Sequence, residues 1–194
     1  MLGLIGMIKP LLGVMCIAII MGCIGNLMAI FITILGGAAI GNLLGEVTGI
    51  SMKMIFVLLV VFAVLRGVLR YAEQASNHYI AFKLLARIRH QIFASLRKLA
   101  PAKLDGKEKG NLISIITSDI ELLEVFYAHT ISPIAIAAIT SLVMVAFIGQ
   151  FHVGLGVLAA VFYLLVGLAV PVVNSKAGQK HGQKYRSIYG KLNT

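Results

Sequence analysis

Between Lys53 and Ala100 the chain has no proline and a single glycine, Gly67. An unbroken helix over that stretch is about 70 Å long at ~1.5 Å per residue. The hydrocarbon core of a bilayer is only ~30 Å thick. The stretch opens on twelve apolar residues, Met54–Leu65, and runs without a breaker into a basic segment. Such a helix crosses a membrane and continues well beyond its inner face. Pro101 and the loop AKLDGKEKG, residues 102–110, then turn the chain back.

Charge follows the same division. Only 12% of residues are charged, against about a quarter in a soluble domain, so an integral membrane protein is expected. The net charge of +10 is gathered in two blocks, residues 66–109 and 176–191, and ten of the 17 Lys and Arg residues lie between Arg66 and Asp119. Basic blocks beside apolar spans mark the cytoplasmic side. They account for the basic balance without a nucleic-acid partner, and no nucleic-acid-binding motif is present.

Four spans follow, at about residues 11–40, 53–78, 125–148 and 154–174. The first lies in a 36-residue uncharged run, Pro10–Gly45, longer than the ~7–15 residues of a signal-peptide core. Its glycines, Gly13, Gly22, Gly25, Gly36 and Gly37, read as plain packing positions. Cys16 and Cys23 lie about 10 Å apart on that helix, too far for a disulfide within it, and read as lipid- or bundle-facing small residues. The last two spans share a charge-free run of 51 residues, Val125–Ser175, broken best by GQFHVG at 149–154. Pro133 and Pro171 are expected kinks, which membrane helices tolerate. The cytoplasmic excursion is 79–118, the N-terminus is cytoplasmic, and the chain is multi-pass in the plasma (inner) membrane. It stops at Thr194 in mid-helix, which suggests a longer protein.

At least ~20 residues are needed to cross, so Arg66, Arg70 and Glu73 fall at membrane depth. With Asn77 their spacings are 4, 3 and 4, one helical face, and Arg70 and Glu73 can pair at i, i+3. Charges at that depth face a bundle interior or a water-filled cavity. Two readings stand: a polar wall that meets an anionic or zwitterionic cargo, and a structural ion-pair cluster with snorkelling arginines.

Long helices overshooting the inner face and joined by a short turn resemble the type I exporter fold of ABC transporters, an all-α polytopic bundle. KGNLISIITSDIELLE, residues 109–124, looks like that family's first intracellular loop. A narrower likeness rests on Arg70-Tyr71-Ala72-Glu73, Ser76-Asn77-His78, Leu85-Ala86-Arg87-Ile88-Arg89 and Leu99-Ala100-Pro101, with HTISP at 129–133. These are similar to one of the two branches that make up the heterodimeric thiol-reductant exporters of cytochrome bd assembly. The likeness covers roughly residues 60–135. One residue, Asn77, separates Ser76 from His78, where the pattern of that branch has them closer.

The resemblance implies ATP-driven export of a small thiol, cysteine or glutathione, by one half of a heterodimer. The fold needs six spans and a nucleotide-binding domain carrying ATP and Mg. This chain has no G-x-x-x-x-G-K-[ST] phosphate cradle, so on its own it is not expected to be an enzyme. Its expected partners are the lipid bilayer, a nucleotide-binding domain, a second exporter half and a small-molecule cargo. Lys103, Leu104, Asp105, Gly106, Lys107, Gly110, Asn111 and Asp119 are the expected coupling residues, at the membrane-distal tip of the long helix. His78 is a candidate haem ligand between the second and third spans, since imidazole is a common axial ligand. Arg66 or Arg70 can meet a propionate, and Tyr71, Tyr79 and Phe82 supply an aromatic wall. The alternatives are an exporter of lipid, drug or peptide, and a non-transport scaffold or channel. A membrane enzyme is disfavoured: the five histidines are scattered, and no Ser or Cys has a nucleophile context.

Overall fold

The structure is a computed structural model that describes residues 11–45, 49–99 and 130–178. Helix α1 spans Leu12–Leu43, α2 Met52–Leu99, α3 Ser132–Phe151 and α4 Val153–Leu164. A π-helical turn, Leu165–Ala169, follows α4, and the helical course continues to Gly178. Four of these segments are long and apolar enough to cross a membrane: Leu12–Leu43, Met52–Lys98, Ser132–Phe151 and Val153–Gly178. All-helical architecture of this kind is a polytopic bundle, as the hydropathy pattern predicts.

Contacts divide the chain into two units, residues 1–140 and 141–194, with the boundary inside α3. In the first unit, α1 and α2 form an antiparallel pair. Gly45 and Gly49 adopt positive φ at their connection, at 86° and 75°, a conformation that a side chain disfavours. The Asn42 amide donates to the Ile50 carbonyl at 2.8 Å, and the Ser51 hydroxyl accepts from the Met54 amide at 3.3 Å, which caps the start of α2. Opposite residues fix the register. Gly25 faces Leu69 and Gly22 faces Glu73, while Leu11 lies beside Tyr79, Lys83 and Arg87.

α2 is a single helix of 48 residues. Its buried positions, Glu73, Asn77, Ile80, Ala81, Leu84 and Ile88, recur at three- and four-residue spacing on one face. Val60, Val64, Val68, Tyr71 and Phe82 stand exposed. Through the apolar part of α2 a bilayer supplies the apolar surroundings that water does not.

In the second unit α3 and α4 make a tight hairpin. The sequence pattern places the break across 149–153, yet helix persists to Phe151 and only His152 leaves it. His152 takes an extended backbone, φ −158°, and its Nδ1 accepts from the Gly154 amide at 3.1 Å. One residue therefore both breaks the chain and caps the next helix. A Cβ on Gly156 would stand 2.8 Å from the Gly149 Cα, so the two helices touch backbone to backbone. The expected distortion at Pro171 is the π turn just before it. Proline lacks the N–H that an α-helix needs and clashes with the carbonyl four residues back, and widening that turn accommodates both effects. Pro133 lies in the first turn of α3, where proline is well tolerated.

Candidate functional site

Three helices of the first unit meet at a glycine. A Cβ on Gly22 of α1 would lie 3.2 Å from the Glu73 Cδ of α2, and would run into the Ile136 side chain of α3. One residue further along α1, the Cys23 thiol points at the Ile136 carbonyl, 4.0 Å away, and lies beside the Thr140 hydroxyl. The small residue at position 22 lets a carboxylate-bearing helix come this close.

Glu73 is 2% exposed and Asn77 3%. A carboxylate that deep needs partners. The Arg70 guanidinium donates to one carboxylate oxygen at 2.7 Å, so the i, i+3 pair read from the sequence is formed. The Asn77 amide donates to the other oxygen over a long 3.5 Å. Arg70 itself keeps 60% of its side chain exposed. The four residues of the predicted face therefore divide in two, with Arg66 and Arg70 open and Glu73 and Asn77 packed. Long arginine stems on a packed face reach outward to keep their heads solvated.

Arg66, Arg70 and Glu73 line a cleft of about 270 Å³, closed on the α1 side by Gly22, Gly25 and Asn26. Two cations stand over it and one carboxylate forms its inner edge. The cleft can hold a small anion or a zwitterion, with a bidentate guanidinium contact to a carboxylate.

Beside the cleft lie polar atoms without partners. The Asn77 Oδ1, the Ser132 Oγ and the Thr140 Oγ1 are buried, and no hydrogen-bond partner reaches them among the described residues. Ser132 and Thr140 each lie one turn from Ile136 on α3, as Asn77 lies one turn from Glu73 on α2.

Neither the α1 wall nor these α3 hydroxyls is expected from the sequence pattern of α2. A Gly-x-x-Gly-Asn run inside an apolar span, residues 22–26, is the signal that could have found the wall. Cys23 is buried in the bundle and Cys16 is exposed.

His78 lies outside the buried face. Its ring is exposed and stacks on Phe82, with centroids 5.9 Å apart at 24°. Tyr71 and Tyr79 are exposed as well. The imidazole and aromatic wall needed for a haem thus lie on the open side of α2, away from the Glu73–Asn77 face that packs in the bundle. A haem inserted within the bundle beside that face does not fit. A haem held on the open face does. The residues Lys103, Leu104, Asp105, Gly106, Lys107, Gly110, Asn111 and Asp119 lie outside the described residues, as does the return stretch through residue 129.

Residues 15–190 match the ABC transporter transmembrane region. Among curated relatives, a probable ABC transporter ATP-binding/permease protein of Haemophilus influenzae is 46% identical over 190 residues, 98% of this chain and 34% of the relative. The glutathione/L-cysteine transport system ATP-binding/permease protein CydC of the same organism is 25% identical over 122 residues, 63% of this chain and 21% of its own length. The ATP-dependent lipid A-core flippase 2 of Colwellia psychrerythraea is 27% identical over 135 residues, 70% of this chain and 22% of its own. The chain thus spans about a third or less of the length of the relatives it matches.

Proposed function

This chain belongs to the ABC transporter transmembrane family, and from that premise we propose that it is the membrane part of one half of an ATP-driven exporter of a small thiol, cysteine or glutathione. The observation that carries the cargo reading is the cleft of Arg66, Arg70 and Glu73 at membrane depth. A carboxylate-bearing cargo meets the two guanidinium groups, and Glu73 holds Arg70 in place. At about 270 Å³ the cleft is below the ~300–1,000 Å³ typical of sites for drug-sized ligands. It suits cysteine, or one carboxylate end of glutathione. The name of the CydC relative supports the same class.

The power source is a nucleotide-binding domain that carries ATP and Mg. Coupling runs through the tip segment, Lys103, Leu104, Asp105, Gly106 and Lys107 with Gly110, Asn111 and Asp119, which docks on that domain. The rest of the reading is a heterodimer in the plasma membrane, N-terminus cytoplasmic, serving cytochrome bd assembly. His78 is its haem ligand, taken on the exposed face of α2 that carries Phe82, where the chain's own residues supply an imidazole and an aromatic wall. Haem bound there would supply an iron-centred signal rather than a transport step.

A second reading is an exporter of lipid, drug or peptide, favoured by the comparable identity to the lipid A-core flippase. Inside-out vesicles that contain the complete transporter separate the two. ATP-dependent accumulation of labelled cysteine or glutathione supports the first. Accumulation of neither, with ATP turnover stimulated by lipid A instead, overturns it. Haem is tested apart from transport: the purified transporter should show a Soret band that His78→Ala abolishes or shifts, and an unchanged spectrum removes the ligand role.

A further inference from the structure

A second cleft, of about 360 Å³, lies where α1 begins, lined by Leu11, Tyr79, Lys83 and Arg87. Tyr79, Lys83 and Arg87 follow one another at four-residue spacing, so they form a continuous strip along α2. Leu11 faces that strip from the other helix of the antiparallel pair. The cleft is therefore built from two helices rather than from one solvated basic face.

Its depth can be read from α2. From Lys53 to Lys83 a helix rises about 45 Å at ~1.5 Å per residue. That is the thickness of a bilayer with both headgroup layers, ~40–45 Å. Lys53 stands at the other end of the apolar run, so Lys83 comes to the opposite headgroup layer. Side chains on a helix lean toward its N-terminus, here toward the membrane. The Lys83 ammonium follows that lean and sits over the Tyr79 ring, 5.7 Å from its centroid. The contact holds the charge at the rim of the cleft, and the tyrosine is of the type enriched at membrane interfaces. Across the cleft, α1 brings no carboxylate, because its described residues are uncharged. Leu11 gives the cleft an aliphatic edge on the membrane side.

We propose that this cleft binds a phosphate oxyanion, presented by the headgroup of an anionic phospholipid. Lys83 and Arg87 meet the phosphate oxygens, Tyr79 orients Lys83, and Leu11 borders the first methylenes of the acyl chain. Basic pockets between membrane helices on the cytoplasmic side recognise anionic headgroups in this way. The site is distinct from the Arg66–Arg70 cleft and does not depend on the identity of the cargo.

Native mass spectrometry of the complete transporter, released from vesicles of equal phosphatidylglycerol and phosphatidylcholine, tests it. The expected result is retained phosphatidylglycerol in preference to phosphatidylcholine. The double variant Lys83→Gln, Arg87→Gln should lower that retention by about 30-fold, the effect of two charges near an anionic surface. Arg97→Gln, further along the same helix, should leave it unchanged, and Lys83→Arg should preserve it. Equal retention of the two lipids by the unmodified protein overturns the proposal even if the double variant does not fold. So does undiminished retention in the folded double variant. A second arm uses vesicles of phosphatidylcholine alone with labelled inorganic phosphate. Saturable phosphate binding that displaces phosphatidylglycerol in the mixed vesicles would assign the oxyanion to a soluble source and overturn the lipid. Its absence leaves the headgroup as the ligand.

Discussion

Gly22 and Glu73 sit so close across the α1–α2 interface that a Cβ on the glycine would come within 3.2 Å of the carboxylate carbon. The same Cβ would strike the Ile136 side chain. These two neighbours respond differently. Ile136 ends in a flexible chain and can rotate, whereas Glu73 is held by Arg70 and Asn77. Gly22→Ala is therefore expected to lower stability by ~1–3 kcal/mol, the usual range for overpacking. Adding Ile136→Val should recover part of that loss, a coupling expected of residues in contact. Gly13→Ala, with nothing within 4 Å of its Cβ position, is the control. Thermal unfolding of the purified transporter measures all of them, and equal melting points for Gly22→Ala and Gly13→Ala would refute the contact.

The two arginines of the cleft should separate under mutation. Arg70 bonds the buried Glu73 carboxylate, so Arg70→Ala removes both a cargo contact and the strong partner of a buried charge. A hydrogen bond to a charged group is worth ~1.5–3 kcal/mol. Arg66 lines the cleft, while the ion pair to Glu73 belongs to Arg70. Arg66→Ala should therefore reduce export with little change in melting point. Glu73→Gln should partly rescue the stability of Arg70→Ala, because it removes the stranded charge, and should leave export low. Export that survives both arginine changes would make the cluster structural.

The hairpin of the second unit offers a stricter steric test. At Gly156 the obstacle is the backbone of Gly149, at 2.8 Å from a new Cβ, with the Val145 carbonyl at 3.3 Å. Backbone cannot rotate away, so the two helices must separate. Gly156→Ala should lower the melting point more than Gly22→Ala does. A smaller effect at Gly156 would show that the hairpin opens at little cost.

Much of the bundle was legible because membrane helices are read one at a time. The proline-free run from Lys53 gave α2, and the single good break in a charge-free stretch gave the α3–α4 hairpin. Arg70 and Glu73 were paired correctly because i, i+3 neighbours belong to one helix. What could not be read was which faces meet. Nothing within α1 alone says that Gly22 rather than Gly13 or Gly36 carries the contact, since that depends on the register against α2. Ser132 and Thr140 were silent for the same reason: their burial comes from α1, not from α3. His78 was placed by its level in the membrane, whereas its direction followed from the rotation of α2, which turns Glu73 and Asn77 inward and leaves the imidazole outside.

Coupling can be tested without further structure. A cysteine replacing Lys107 should cross-link to a nucleotide-binding domain in the assembled transporter, with a yield that changes between nucleotide-free and ATP-bound states. Cross-linking in no nucleotide state would remove the tip segment from the coupling path.

The buried polar atoms around Glu73 give opposite expectations for two conservative changes. Ser132 is 1% exposed and its hydroxyl finds no partner among the described residues. A buried polar group without a hydrogen bond costs ~1–3 kcal/mol, so Ser132→Ala removes a liability and should leave the melting point unchanged or raise it. Asn77 also leaves its Oδ1 without a partner, but its amide nitrogen donates to Glu73. Asn77→Ala therefore withdraws one of the two groups that steady the carboxylate, and should lower stability by ~0.5–1.5 kcal/mol. The two variants differ by only a few atoms each, and a polar-to-apolar change alone would move them in the same direction. Thermal unfolding of both in one lipid mixture decides the matter. A melting point that drops for Ser132→Ala as much as for Asn77→Ala would mean that the hydroxyl is engaged in the assembled transporter, by a water or by cargo, and that the polar site extends from Glu73 to α3.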